Sequence, residues 1–179
     1  MTQQGMSLDV FRVWAELPEN ADREYELVNG IVKEMHYVTT AQSSIHTHIV
    51  FAVHMYCRQN QLPCRTSGPF GAYDILGHVL SPDFAYKPTP MIDAYPDPVP
   101  PLWVVEIISP NDKGIDIRAK REIYRQAGIL YWELYPQSGS MDVYAPGEPM
   151  RTVGIDGVLD GGTVLPGFTL PLRDLLPEK

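Results

Sequence analysis

The sequence predicts a mixed α/β domain organised around a central sheet, and three features carry that expectation. Two apolar runs, "VLSPDFAYKP" from Val79 and "LWVVEIISPND" from Leu102, are each broken by a single carboxylate, Asp83 in the first and Glu106 in the second. A helical pattern follows the second run directly, and another strand-like run, "ILYWELYP", follows that helix. Near the N-terminus an Asn29-Gly30 pair stands between two extended runs. Strands and helices in such an order bury their apolar faces by stacking as layers.

Residues 7–16, "SLDVFRVWAE", predict a short helix capped by Ser7, with Leu8, Phe11 and Ala15 close to helical spacing. In "REYELVNGIVKEMHYV" the Asn-Gly pair predicts a hairpin, because both central residues of a type I′ turn need positive φ. Glu26 then lies on a strand beside a tight corner. Residues 41–60 predict the longest helix, with Ile45, Ile49, Ala52, Val53 and Tyr56 on one stripe. Short strands broken by Gly and Pro lead to the Asp83 run. Residues 87–101, with six prolines, predict a loop or lid between strands. A strand over 102–108, a helix over 114–127, the "ILYWELYP" strand and a hairpin-like pair around "MDVYAPG" and "RTVGI" follow. The tail reads as irregular chain ending in a short helix. No internal repeat or low-complexity tract is visible.

With 44% apolar residues, 179 residues suffice for one domain with a real core, expected over 1–179. No apolar run reaches the roughly 18 residues of a membrane span, and the N-terminus lacks a secretory pattern, so a cytoplasmic protein with no membrane partner is expected. Cys57 and Cys64 have no metal-ligand spacing and read as free thiols. A net charge of −8 argues against coating nucleic acid by bulk electrostatics. Lys113, Arg118, Lys120, Arg121 and Arg125 form a local basic cluster, which is a basic patch or a solvated helix face.

Ionised carboxylates are seldom buried unless paired or bound to a metal, so Asp83 and Glu106 need a counter-charge. On the following helix Ile117, Lys120, Tyr124 and Ala127 share one stripe, opposite Arg118, Arg121, Glu122 and Arg125. Lys120 is the lone charge of the inward stripe. It either snorkels to water or pairs with a buried acid. Asp83, Glu106 and the backbone carbonyl of Ile107 make an oxygen set suited to Mg²⁺ or Mn²⁺, which would activate water and stabilise charge on a phosphoryl oxygen. Each acid alone could instead cap a loop amide. Glu26 could form a cross-strand ion pair. Tyr124 reads as core. Ser109 lacks a nucleophile elbow, and His46, His48 and His54 lack zinc-motif spacing.

"YELVNG", "SPDFAY", "VVEIISP" and "DIRAKREIYRQAGILYWELY", in that order, resemble the Uma-type restriction endonuclease family of the PD-(D/E)XK nuclease superfamily, from about Tyr25 to the C-terminal "LPGFTLPLRDLL". The resemblance implies a restriction-endonuclease-like fold, a mixed central sheet flanked by helices. It implies that Pro82 and Asp83 match the PD and that Glu106 matches the acid of (D/E)XK. The lysine expected two residues later is Ile108 here, and Lys120 matches a lysine moved to the next helix. By the same resemblance Glu26 is a supporting acid of the site. His46, on a stripe with Val50, Val53 and Cys57, looks like the family's helix histidine and reads as a hydrogen-bonded core residue ahead of a catalytic one.

The expected function is therefore a Mg²⁺- or Mn²⁺-dependent endonuclease hydrolysing phosphodiester bonds of nucleic acid, DNA in particular. Asp83, Glu106, Lys120 and Glu26 are its catalytic residues, and Asp83, Glu106 and Ile107 its metal ligands. A homodimer would supply one active site per strand of a duplex. The alternatives are a catalytically inactive nucleic-acid-binding module, favoured by Ile108, and an assembly domain.

Overall fold

The structure is a computed structural model that describes residues 5–176. Residues 1–4 and 177–179, the ends of the expected 1–179 span, lie outside the described residues. The fold is a mixed α+β arrangement built on a six-stranded mixed sheet with helices on its faces.

Helix α1 (Leu8–Ala15) starts where expected, with the Ser7 side chain accepting from the Val10 amide. The hairpin β1 (Tyr25–Val28) and β2 (Ile31–Glu34) turns at Asn29 and Gly30, both at positive φ. Helix α2 (Thr40–Gln59) begins with a capping box: Thr39 accepts the Gln42 amide, and the Gln42 side chain accepts the Thr39 amide. The short strands are β3 (Arg65–Ser67), β4 (Tyr73–Ile75), β5 (His78–Leu80) and β6 (Phe84–Lys87). Then come β7 (Trp103–Ile107), α3 (Gly114–Gln126), β8 (Leu130–Tyr135), β9 (Ser140–Tyr144) and β10 (Arg151–Gly154).

The large sheet has the order β10-β9-β8-β7-β6-β3, and a smaller one has the order β2-β1-β5-β4. Only β7 and β8 are parallel in the large sheet, which is why a whole helix, α3, must carry the chain from one to the other. Side chains alternate across β6, β7 and β8. Phe84, Trp103, Val105, Ile107, Trp132 and Leu134 pack with Ile45, Ile49, Val53 and Cys57 of α2. Ala85, Val104 and Tyr131 pack with Ile123 and Tyr124 of α3. Trp103 stands edge-on to Trp132 at 4.4 Å and to Phe84 at 5.2 Å, so aromatic packing pins the strands that carry the acids.

One expectation is sharpened and two change. The 87–101 segment is the expected loop between strands, and it is tied down: buried Lys87 pairs with Asp97 at 2.5 Å, and Asp97 also accepts the Val99 and Ile92 amides. The tail is not irregular before its helix, because β11 (Val158–Asp160) and β12 (Thr169–Pro171) form a hairpin ahead of a 3₁₀ turn at Leu172–Leu175. The expected outer face of α3 is not uniformly solvated either. Arg121 reaches the fully buried Glu133 of β8, with Nη2 at 2.6 Å from Oε1 and Nε at 2.9 Å from Oε2. The periodicity misassigned it because a long guanidinium stem can curl back from the flank of a helix onto the sheet.

Candidate active site

The chain leaves the small sheet at Leu80 and enters the large one at Phe84, so residues 81–83 form the corner between the two. Asp83 sits in this bend, not within a strand as its apolar surroundings suggested. Its Oδ2 accepts the Ile107 amide at 2.7 Å, which latches the corner to the end of β7. The Ser81 amide, at the same corner, donates to Glu26 Oε1 at 2.9 Å. Glu26 comes from β1 in the small sheet and Glu106 from β7 in the large one, and both are buried.

Lys120, on the inner side of α3, joins them. Its ammonium lies 3.0 Å from Glu26 Oε1 and 2.9 Å from Glu106 Oε1. This excludes snorkelling. It also excludes the cross-strand ion pair considered for Glu26: its register partner Lys33 turns instead to Asp116, at 2.5 Å. Tyr124, expected as core alone, keeps its ring in the core but donates its hydroxyl to Glu106 Oε1 at 2.8 Å.

The electrostatics follow from burial. Desolvation pushes the Glu106 carboxyl up to about 7 against the pull of Lys120, and the nearby Asp83 and Glu26 charges push the same way. Desolvation likewise raises Asp83, opposed by the Ile107 amide and Lys120. Burial disfavours the Lys120 ammonium, but Glu106 and Glu26 more than offset that and hold it protonated well above the ordinary range.

One oxygen of each acid is thus engaged by the protein, while Glu106 Oε2 and Asp83 Oδ1 accept no hydrogen bond among the described residues. Carboxylate oxygens without protein donors, held at fixed positions by the bonds to their partner oxygens, suit a hard cation. The Ile107 carbonyl accepts from the Gln42 side-chain Nε2 at 3.4 Å. Among the described residues no group of three or more His, Cys, Asp or Glu side chains is arranged to hold a metal ion. A divalent ion would therefore have two carboxylates and one carbonyl, with waters or phosphate oxygens completing its shell.

His46 departs from expectation. It lies on the inner part of α2, but its Nε2 is buried with no hydrogen-bond partner. The basic cluster is largely spent. Lys120 and Arg121 face buried acids, Arg118 donates to the Gly114 carbonyl, and Arg125 pairs with Glu122 at 3.5 Å. The parts played by Gln42, Ser81 and the Tyr124 hydroxyl escaped the sequence reading. Thr39-x-x-Gln42 was visible as a capping-box pattern, whereas the Ser81 amide and the Tyr124 hydroxyl leave no mark in a sequence.

A lysine on the helix between two parallel strands that bridges an acid from each sheet, with a third acid in the bend where the two sheets meet, fits the restriction-endonuclease-like fold, the class to which this chain's fold belongs. The chain belongs to the Uma2 family, whose model, described as "Putative restriction endonuclease", matches residues 11–173. Among solved structures it resembles a crystal structure from Anabaena variabilis, described as a putative nuclease belonging to DUF820, with a TM-score of 0.79 at 19% identity over 95% of this chain and 97% of that one. No curated protein matches.

Proposed function

We propose that the chain is a divalent-metal-dependent endonuclease that hydrolyses phosphodiester bonds of DNA. The observation that carries this reading is the pair of free oxygens, Asp83 Oδ1 and Glu106 Oε2, on a half-buried and a buried acid whose other oxygens are fixed by the Ile107 amide and by Lys120 with Tyr124. Family membership supports nucleic acid as the substrate class.

Asp83, Glu106 and the Ile107 carbonyl would hold Mg²⁺ or Mn²⁺, which when bound polarises a phosphoryl oxygen and acidifies water. The remaining work falls to the chain. Lys120 favours the ionised form of Glu106 and orients it, and its fixed ammonium places positive charge where a phosphate would gather negative charge. Glu26 holds that ammonium from the far side and is itself set by the Ser81 amide. Ile107 gives its amide to Asp83 and its carbonyl to the donor set, so the end of β7 sets the distance between the two acids. Two copies of the chain would cut both strands of a duplex.

Calorimetric titration of Mn²⁺ into the wild type and into Asp83→Ala and Glu106→Ala chains, followed by incubation of each with plasmid DNA, tests the reading. Binding and nicking by the wild type alone are expected. Unchanged Mn²⁺ affinity in both variants rules out the ligands. Binding without nicking moves the assignment to the non-cutting module that Ile108 favours.

A further inference from the structure

Four charges meet where the β1–β2 hairpin touches α3. Glu26 and Lys33 are register partners, so they stand directly opposite each other on one face of the hairpin. Asp116 and Lys120 stand one turn apart on α3, acid before base at the i, i+4 spacing that pairs such groups on a helix. Local rules would thus join Glu26 to Lys33 and Asp116 to Lys120. The structure joins them crosswise: the Lys120 ammonium lies 3.0 Å from Glu26 Oε1, and the Lys33 ammonium lies 2.5 Å from Asp116 Oδ1.

Each local alternative stays open to its charge. Glu26 Oε1 takes both the Lys120 ammonium and the Ser81 amide, while Glu26 Oε2 accepts no hydrogen bond among the described residues, so a released Lys33 has an acceptor across the hairpin. A released Asp116 would face the Lys120 ammonium one helical turn away. The Lys33–Asp116 pair is the more open of the two, with side chains 27% and 39% exposed against 17% and 10% for Lys120 and Glu26. Solvent screens such a pair, so its own contribution to stability is small, and its effect lies in the pairings it prevents.

We propose that Lys33 and Asp116 are positioning residues of the active site: by binding each other they withhold Lys33 from Glu26 and Asp116 from Lys120, and so leave the Lys120 ammonium bridged between Glu26 and Glu106. The proposal rests on the nuclease reading above. Lys33 turned onto Glu26 weakens the hold on the far side of Lys120 and lets the ammonium drift toward Glu106. Asp116 turned onto Lys120 draws the ammonium toward the start of α3. Either shift moves the positive charge from where a phosphate would meet it, without touching Asp83, Glu106 or the Ile107 carbonyl.

The experiment compares the full-length wild type with Lys33→Met, Asp116→Asn and the double variant, measuring Mn²⁺-dependent cleavage of DNA, Mn²⁺ affinity by calorimetry and the melting temperature. Each single variant, which frees one competitor, is expected to lower kcat by about 10-fold to 100-fold, the scale of displacing a positioned group by an ångström or less, with Mn²⁺ affinity retained. The double variant, with both competitors gone, recovers most of the wild-type kcat. Its Tm nonetheless falls to or below that of the single variants, because no charge remains to pair anew and the first-turn acid of α3 is still missing. A pair that merely held the hairpin to α3 would let kcat and Tm fall together from single to double. Wild-type kcat in either single variant, or no recovery in the double, overturns the proposal while leaving the nuclease reading intact. Loss of Mn²⁺ binding in a single variant overturns it by moving the defect to the metal donors. A wild type that binds Mn²⁺ and cuts nothing overturns both.

Discussion

Replacing Lys120 by Met removes the ammonium that stands 2.9 Å from Glu106 and 3.0 Å from Glu26 while keeping most of the side-chain stem. The loss is electrostatic, and the Lys120 side chain is only 17% exposed, so solvent screens little of it. Breaking a buried ion pair by removing one partner costs roughly 3–5 kcal/mol. A chain of this size loses about 2–4 °C in Tm per kcal/mol, so the expected drop near pH 8 is about 6–20 °C. The sign of the pH dependence follows from Glu106. Its carboxyl titrates at about 7 in the folded chain rather than at the ordinary 4.5, so between those values the folded state holds a proton that the unfolded state has released. Stability therefore falls as pH rises through that window. Without Lys120 the opposing attraction is gone and the window extends upward, so the deficit of the variant shrinks toward about pH 5, where the carboxyl is protonated and no longer needs a cation. Thermal unfolding of both chains by circular dichroism at the two pH values measures this. A deficit equal at both, or absent at the higher, would refute the assignment of Lys120 as counter-charge to buried acids.

Tyr124→Phe keeps the ring and deletes the 2.8 Å donor to Glu106 Oε1; a hydrogen bond to a charged group is worth about 1.5–3 kcal/mol, so Tm should fall by about 3–12 °C near neutral pH. Mn²⁺ binding should survive, because the free oxygen is Oε2. Calorimetry showing binding lost with the hydroxyl would contradict that division of labour. Lys87→Met strands the buried Asp97 carboxylate at a cost of roughly 3–5 kcal/mol and should open residues 88–101 to limited proteolysis. Lys87 closes β6 at the end away from Asp83, so cleavage per folded molecule should persist; a variant as protease-resistant as the wild type would dismiss the tether.

Much of this architecture was legible because each element has a local cause. Asn29-Gly30 demands its turn, the α2 stripe demands a buried face, and an acid inside Trp-Val-Val-Glu-Ile demands a partner, which helical spacing found in Lys120. What escaped was set across space. Whether Arg121 points to water or curls to Glu133 depends on the Cβ-to-sheet distance, which no periodicity encodes. Yet Glu133 carried the same signature as Glu106, a lone acid in an apolar run, and here too the partner was a cation from α3. Two sheets meeting at residues 81–83 could not be read from a Ser-Pro-Asp tripeptide. The β11–β12 hairpin was hidden by Gly and Pro that read as irregular chain.

The position of the lysine is itself open to test. The Ile108 amide continues the parallel pairing to Leu134 at 2.8 Å, so residue 108 is still extended and shares with Glu106 the strand face that looks toward α3. A lysine at 108 starts about 7 Å along the strand from residue 106 and can bring an ammonium back to that carboxylate. It cannot equally serve Glu26, which lies on the other sheet and which Lys120 reaches because α3 passes over both. The helix position therefore performs two tasks, orienting the acid of the site and tying the small sheet to the large one, and Ile108→Lys should restore only the first. In a Lys120→Met background, Ile108→Lys is expected to return Mn²⁺-dependent cleavage more fully than it returns Tm. Plasmid nicking and thermal unfolding of the single and double variants separate the two tasks: recovery of stability without cleavage would show that Lys120 takes part in the reaction through a geometry that residue 108 cannot reproduce, and recovery of neither would show that the face of β7 carrying Glu106 does not extend to residue 108.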